Sequence, residues 1–227
     1  MEGTKIMSMN MTEEESSIYS IIQEYVKSNK PVEINELAHY IESISSIKSI
    51  NLNYKGIKKI IETLLKKNLI VEGSRLIKDD LMENDRRKSI YEYICNNPAV
   101  YHHQIIKELG IPNHIVIWHL NVLLDFNLIK KIRIDNHNTF YDSKRSPYEA
   151  KISYYTRHEK CKEIINYIKG NIEGCSKTQL SNKLGMHPNT VKKYIDELEN
   201  LQIVYKKREM NKTLYYLFKT VSEQVDL

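Results

Sequence analysis

Residues 109–120, with the sequence LGIPNHIVIWHL, and residues 184–195, with the sequence LGMHPNTVKKYI, follow the same apolar pattern 75 residues apart. The match continues without a gap, because Leu123 falls on Leu198 and Leu128-Ile129 falls on Ile203-Val204. Apolar positions agree while the polar positions between them differ. Two copies of one fold share a core pattern and not a surface, so the pattern predicts an internal repeat.

Each copy has the spacing of three helices followed by a hairpin. Apolar residues recur at i, i+3 and i+4 along 86–96 and 158–169, which predicts a first helix in each copy. A second helix is expected at 102–109 and 176–184, closed by Gly110 or Gly185, and a third at 113–126 and 188–201. The period then falls to two, which predicts hairpins of 132–141 with a tip at 135–138, and of 205–218 with a tip at 209–212. Three helices and a hairpin make a winged helix-turn-helix domain.

A more divergent copy is expected at the N-terminus. Apolar spacing predicts a first helix from Ile18 to Val26, a second at 34–44 and a third near 53–67, with a short wing at 71–77 that turns at Gly73-Ser74. The fold class is therefore mainly α with small β-hairpin wings, in a tandem array. The expected domains are 1–80, 81–145 and 146–220, followed by a tail at 221–227. Because no Gly/Ser-rich spacer separates them, we expect a fairly rigid array.

Composition restricts the function classes. The net charge of +5 is too small to identify a nucleic-acid ligand by itself. Three dispersed cysteines without a CxxC pair favour a reducing compartment, and no stretch resembles a signal peptide or a membrane span. We therefore expect a cytoplasmic, nucleoid-associated protein without membrane insertion. No phosphate-binding glycine loop, nucleophile elbow or HExxH motif occurs, so neither an enzyme nor a cofactor is expected.

Four short runs carry a resemblance to a known family: 86–94, Asn97-Pro98, 116–120 and Leu128-Ile129. With them the chain resembles archaeal transcription regulators with tandem winged helix-turn-helix domains, over roughly residues 86–218 together with 69–80. It implies transcription regulation and a double-stranded DNA ligand. These motifs are specific for the fold and do not name an individual function.

A winged helix reads the major groove with its third helix, while the wing contacts phosphate. In the third domain the third helix offers five polar side chains and the wing adds four cations. In the first domain three lysines share one face of the third helix. The expected DNA-binding residues are Lys55, Lys58, Lys59, His187, Asn189, Thr190, Lys192, Lys193, Lys206, Lys207, Arg208 and Lys212.

The middle domain lacks a cation on the equivalent face. Ile117 and Trp118 occupy it instead, and exposed apolar patches usually mark contacts with protein, so we expect them to pack on another domain or on a second subunit rather than on bases. Residues 86–88, Arg-Arg-Lys, are expected to reach phosphate from the first helix. His119 is expected to be a hydrogen-bonded core residue, and neither His102-His103 nor His158-x-x-Cys161 has a recognised metal-ligand spacing.

Two other interpretations stay open. A nucleoid-organising protein would coat DNA by charge and shape, and the preference for lysine over arginine is consistent with it. A winged-helix scaffold would bind only proteins and would need no basic third helix. Self-association and contact with the transcription machinery are open as well.

Overall fold

Helices form most of the chain in the computed structural model, which describes residues 11–48, 50–209 and 211–218. These residues contain helices α1–α10, one 3₁₀ turn and strands β1–β5. They fall into two compact units. The first contains the described residues up to Asn96 together with Tyr101–Lys131, and the second contains Asn97–Val100 and the described residues from Ile132 onwards.

The first unit begins with α1 (Glu13–Lys27), α2 (Ile34–Ile44) and α3 (Tyr54–Lys66). Thr12 and Glu15 form a capping box that starts α1, and the Asn53 side chain accepts a hydrogen bond from the Gly56 N–H at the start of α3. Apolar residues from all three helices share one core. The three helices lie where the sequence predicts them. An antiparallel bridge between Ile70 and Ile77 follows, which is compatible with a short wing.

Three more helices follow in the same unit. A 3₁₀ turn (Asp79–Glu83) leads into α4 (Asp85–Asn96), and α5 (His102–Leu109) and α6 (Asn113–Asp125) come next. Gly110 closes α5 with φ 62, a left-handed backbone that glycine adopts without a Cβ penalty. The helix bounds agree with the sequence prediction to within a residue or two.

The strands β1 (Val100–Tyr101), β2 (Ile129–Ile134) and β3 (His137–Asp142) form a small sheet in the order β1-β3-β2. The predicted four-residue tip at 135–138 is wrong, because His137 and Asn138 already belong to β3. Asp135 and Asn136 have φ of 46 and 65, and two consecutive left-handed residues close a two-residue hairpin. Asp and Asn tolerate this backbone better than most residues.

The second unit is built around α7 (Pro147–Arg157), α8 (Glu159–Lys169), α9 (Lys177–Leu184) and α10 (Pro188–Asn200). Capping boxes at Ser146 and Ser176 start α7 and α9, and Gly185 ends α9 with φ 62. The buried faces of these helices share one core with Ile134 and Tyr141 of the β2–β3 hairpin. The tip half of that hairpin therefore packs with α7–α10.

A second hairpin consists of β4 (Val204–Glu209) and β5 (Lys212–Leu217). Glu209 is paired with Lys212 across the ladder, so the expected tip at 209–212 is again too long. Met210, which follows Glu209, lies outside the described residues, as does the expected tail at 221–227. The order of helices and hairpins is compatible with winged helices, and the three-domain division stays a prediction.

Candidate nucleic-acid interface

The exposed face of α10 carries the polar residues that the sequence singled out. His187 caps the helix, where its Nδ1 accepts a hydrogen bond from the Asn189 N–H at 3.2 Å. Lys192 and Lys193 are exposed, whereas Val191 and Ile195 are buried in the core. The helical period thus leaves both lysine side chains on the solvent side. Asn189 is exposed and Thr190 is half-buried beside them.

The β4–β5 hairpin divides its cations between two faces. Lys206 and Arg208 are two residues apart in β4 and share one face, which also holds the buried Tyr215 opposite Lys206. Lys207 lies on the other face, beside the stacked rings of Tyr205 and Tyr216. The basic cluster that is continuous in sequence is therefore two smaller groups in the structure.

Three of these lysines are paired with carboxylates. Each Nζ lies 2.8 Å from an acidic oxygen: Lys193 from Asp135, Lys206 from Glu199, and Lys207 from Glu209. The hydrogen bond to its carboxylate partner raises the pKa of each lysine. Lys192, Arg208 and Lys212 are exposed and have no acidic partner in the described part of the chain. These last three cations are the ones that an incoming phosphate would meet unneutralised.

The three lysines of α3 are also at the surface. Lys55 and Lys59 are exposed, and the half-buried Lys58 donates a hydrogen bond from Nζ to Asn35 Oδ1 at 3.1 Å. Lys67, further along the same segment, is held by the buried Glu15, with 2.7 Å between Nζ and Oε2. The cationic face of α3 therefore consists of Lys55, Lys58 and Lys59, together with the exposed Lys66.

The corresponding face of α6 is apolar. Ile117 is 43% exposed and Trp118 is 53% exposed, and the Trp118 ring meets the His119 ring edge-on with 4.7 Å between centroids. In the repeat alignment the positions of Ile117 and Trp118 are those of Lys192 and Lys193 in α10. At the start of α6, Asn113 is hydrogen-bonded through Oδ1 to the His102 ring.

Arg87 corrects the expectation that residues 86–88 all reach phosphate. Its side chain is buried at 2% exposure, where the guanidinium donates to the carbonyls of Leu81 and Asp80. Those carbonyls belong to the 3₁₀ turn, so Arg87 ties that turn to α4. Arg86 and Lys88 are exposed.

The cations of β2 were not among the DNA-binding residues expected from the sequence. Lys130, Lys131 and Arg133 are exposed on this strand while Ile129 and Ile134 are buried. Three cations within four residues, directly before a hairpin tip, were the signal that could have identified them. They give the β2–β3 hairpin exposed cations, whereas α6 has no Lys or Arg.

Histidines and cysteines are dispersed. Within the described residues no three His, Cys, Asp or Glu side chains come close enough together to hold a metal ion. His119 is buried as expected, but its Nδ1 has no hydrogen-bond partner among the described residues, so this atom does not make the hydrogen bond expected of a core histidine. Burial raises the pKa of the Cys161 thiol to about 12 and that of Cys175 to about 11, which leaves both thiols protonated. No helix among the described residues has the length and apolar character that a membrane span requires.

Comparison with known proteins gives one informative similarity. No protein-family model matches the chain. A crystal structure of a protein from Corynebacterium diphtheriae aligns with 77% of this chain and covers 38% of its own chain, at 11% sequence identity. The TM-score of 0.25 is too low to indicate a shared fold. Over 146 residues, which is 64% of the chain, the sequence is 30% identical to a Methanocaldococcus jannaschii protein named as an uncharacterized helix-turn-helix-type transcriptional regulator. The chain spans 37% of that relative's length.

Proposed function

We propose that this chain is a DNA-binding transcription regulator in which tandem winged helix-turn-helix domains, at 1–80, 81–145 and 146–220, bind duplex DNA. Two observations support it. The helices and hairpins follow the winged-helix order, and the relative from Methanocaldococcus jannaschii is named as a helix-turn-helix-type transcriptional regulator.

The observation that carries the proposal is a set of exposed cations on α10 and on both faces of the β4–β5 hairpin. Lys192 on the helix and Arg208 and Lys212 on the hairpin are exposed cations without an acidic partner in the described residues. The polar residues His187, Asn189 and Thr190 lie at the start of the same helix, where a winged helix meets base edges. Lysine and arginine on a wing neutralise phosphates, and short polar side chains on the helix contact bases.

The other two domains take different roles in this proposal. Lys55, Lys58 and Lys59 on α3 form a second phosphate-binding face. The exposed Ile117 and Trp118 on α6 form a protein contact, because apolar residues of this size gain more from a protein partner than from phosphate.

A DNA-coating protein of the nucleoid is the main alternative, and the preponderance of lysine in the candidate set favours it. The two functions differ in how strongly the protein prefers one DNA sequence over unrelated duplex. A specific regulator binds its operator about 10³-fold or more tighter than unrelated duplex, whereas a coating protein shows no such gap. A scaffold that binds only proteins would show no affinity for duplex.

The test measures binding of a fluorescent duplex by anisotropy over a range of salt concentrations. If α10, its wing and α3 together neutralise roughly six phosphates, log affinity should fall steeply with log salt, by about 0.9 for each phosphate. The triple variant Lys192→Ala/Arg208→Ala/Lys212→Ala should bind more weakly and show a slope smaller by about 0.9 for each phosphate that it no longer neutralises.

Two exposed lysines outside the candidate surfaces supply the control. Lys48, which is paired with Glu24, and Lys160 at the start of α8 are changed to alanine. These changes should leave the slope unchanged. A flat salt dependence of the unaltered protein, or an equal loss of affinity in the control and in the triple variant, would refute the proposed interface.

A further inference from the structure

The tip of the β2–β3 hairpin lies against the exposed face of α10. Asp135, the first residue of the two-residue tip, places Oδ1 2.8 Å from Lys193 Nζ. The Tyr154 hydroxyl donates to Asp135 Oδ2 at 3.5 Å. The Asp135 side chain is only 13% exposed, while Lys193 remains half-exposed. A carboxylate from one hairpin thus neutralises one of the two adjacent lysines on the helix.

The hairpin is held in this position by its own packing. Ile134 and Tyr141 belong to the hydrophobic core that also contains Ile164, Val191 and Ile195. On the other side, the Ala99 N–H donates to the Phe140 carbonyl, and the Arg157 guanidinium donates to the Pro98 carbonyl. The hairpin that brings Asp135 to Lys193 is therefore anchored by the buried side chains of Ile134 and Tyr141.

The negative charge of Asp135 is balanced by Lys193, as the groups around the carboxylate show. Tyr154, Tyr155 and Cys161 lie near it from α7 and α8, and Tyr194 lies near it from α10. His158, between α7 and α8, is hydrogen-bonded through Nε2 to the Tyr194 hydroxyl at 3.2 Å. Lys193 is the cation that offsets the poorly hydrated Asp135. Withdrawing Lys193 toward a DNA phosphate leaves this charge uncompensated, which is costly.

We propose that Asp135 is an intramolecular competitor for the DNA-binding surface of α10, so that the β2–β3 hairpin lowers the affinity of this helix for duplex DNA by occupying Lys193. The proposal rests on the proposed function of α10 as a DNA-binding helix. A carboxylate on a lysine occupies the position that a phosphate oxygen would take. Lys192, at the preceding position, stays available for the first encounter with DNA.

The test compares the affinity for a labelled duplex of the full chain, of Asp135→Asn, of Lys193→Met and of the double variant. Asparagine has the shape of aspartate and accepts the left-handed backbone of residue 135, so Asp135→Asn should fold normally. Asp135→Asn should tighten binding about tenfold at low salt, because Lys193 is released to phosphate. In the Lys193→Met background the same change should have little effect.

The control is Glu24→Gln, which removes an exposed carboxylate from α1 that is paired with Lys48, outside the candidate surface. General relief of repulsion would raise affinity equally in Glu24→Gln and in Asp135→Asn, and equally with and without Lys193. Either equality overturns the competition, as does weaker binding by Asp135→Asn.

The proposed function and the competition fail in different ways. If the unaltered chain binds duplex and Asp135→Asn binds no more tightly, only the proposed competition is refuted. If neither protein binds duplex at low salt, both proposals fall. Binding by Asp135→Asn alone would support the competition in its strongest form.

Discussion

Arg87 is a buried cation whose hydrogen bonds hold two successive segments of the first unit together. Its guanidinium donates to the carbonyls of Leu81 and Asp80, and the residue is only 2% exposed. Arg87→Met keeps most of the side-chain volume and removes the donors. We expect it to lower the free energy of unfolding by about 1–3 kcal/mol, because the carbonyls of Leu81 and Asp80 lose their donor.

Arg86→Met is the matched control, since Arg86 is the exposed neighbour on the same helix. Exposed substitutions of this kind usually change stability by less than about 0.5 kcal/mol. Urea denaturation of both variants measures the difference. Equal losses of stability in the two variants would mean that the buried hydrogen bonds of Arg87 contribute nothing specific.

His119 makes the stability of the chain sensitive to acid. Burial lowers its pKa from the ordinary value of 6.5, and the nearby Arg87 and Arg86 lower it further. Above pH 6.5 the side chain is neutral in both states and contributes no pH dependence. Below pH 6.5 His119 becomes protonated in the unfolded chain while it stays neutral in the folded chain. The free energy of unfolding therefore falls, by at most about 1.4 kcal/mol per pH unit.

His119→Leu should therefore reduce the fall in stability as the pH drops below 6.5. Part of the fall should remain, because burial also lowers the pKa of His158. The measurement is urea denaturation at several pH values between 7.5 and 5, with His103→Leu, at an exposed position, as the control. A pH profile of His119→Leu identical to that of the unaltered chain would contradict this role of His119.

Helices and hairpins differ in how far local sequence determines them. The bounds of α5, α6, α9 and α10 follow from apolar spacing and from the glycines at 110 and 185, which are local signals. The tip lengths were predicted too long because polar residues such as His137 and Lys212 occur in short exposed strands as readily as in turns. Register, which no local pattern encodes here, decides the difference.

In the candidate interface, too, local sequence determines which side chains are exposed but not which of them are paired. Exposure of Lys192 and Lys193 follows from the helical period and was predictable. The pairing of Lys193 with Asp135 was not, because it joins a hairpin tip to a helix far along the chain. Nor was the burial of Arg87, which depends on the path of the 3₁₀ turn before α4. Long-range packing decides which cations are free, and sequence spacing alone gives only the candidates.

At the scale of the whole molecule, the apolar face of α6 predicts self-association. Trp118 and Ile117 expose about half of their side chains, so truncating Trp118 removes little packing within one chain. We expect Trp118→Ala to keep its stability to within about 1 kcal/mol. If the face binds a second copy, the unaltered protein should approach twice the chain mass of 26.8 kDa as its concentration rises, and the variant should stay monomeric.

Sedimentation velocity over a range of concentrations measures this association, with Ile47→Ala as a control because Ile47 is also exposed but lies outside α6. Duplex binding is measured on the same samples at fixed salt. Dimerisation through α6 would bring two copies of α10 to one duplex, so Trp118→Ala should weaken binding mainly on long duplexes that hold both copies. Loss of affinity on a duplex long enough for only one copy would instead identify α6 as a DNA-contacting helix, and the assignment of Ile117 and Trp118 to a protein contact would then be wrong.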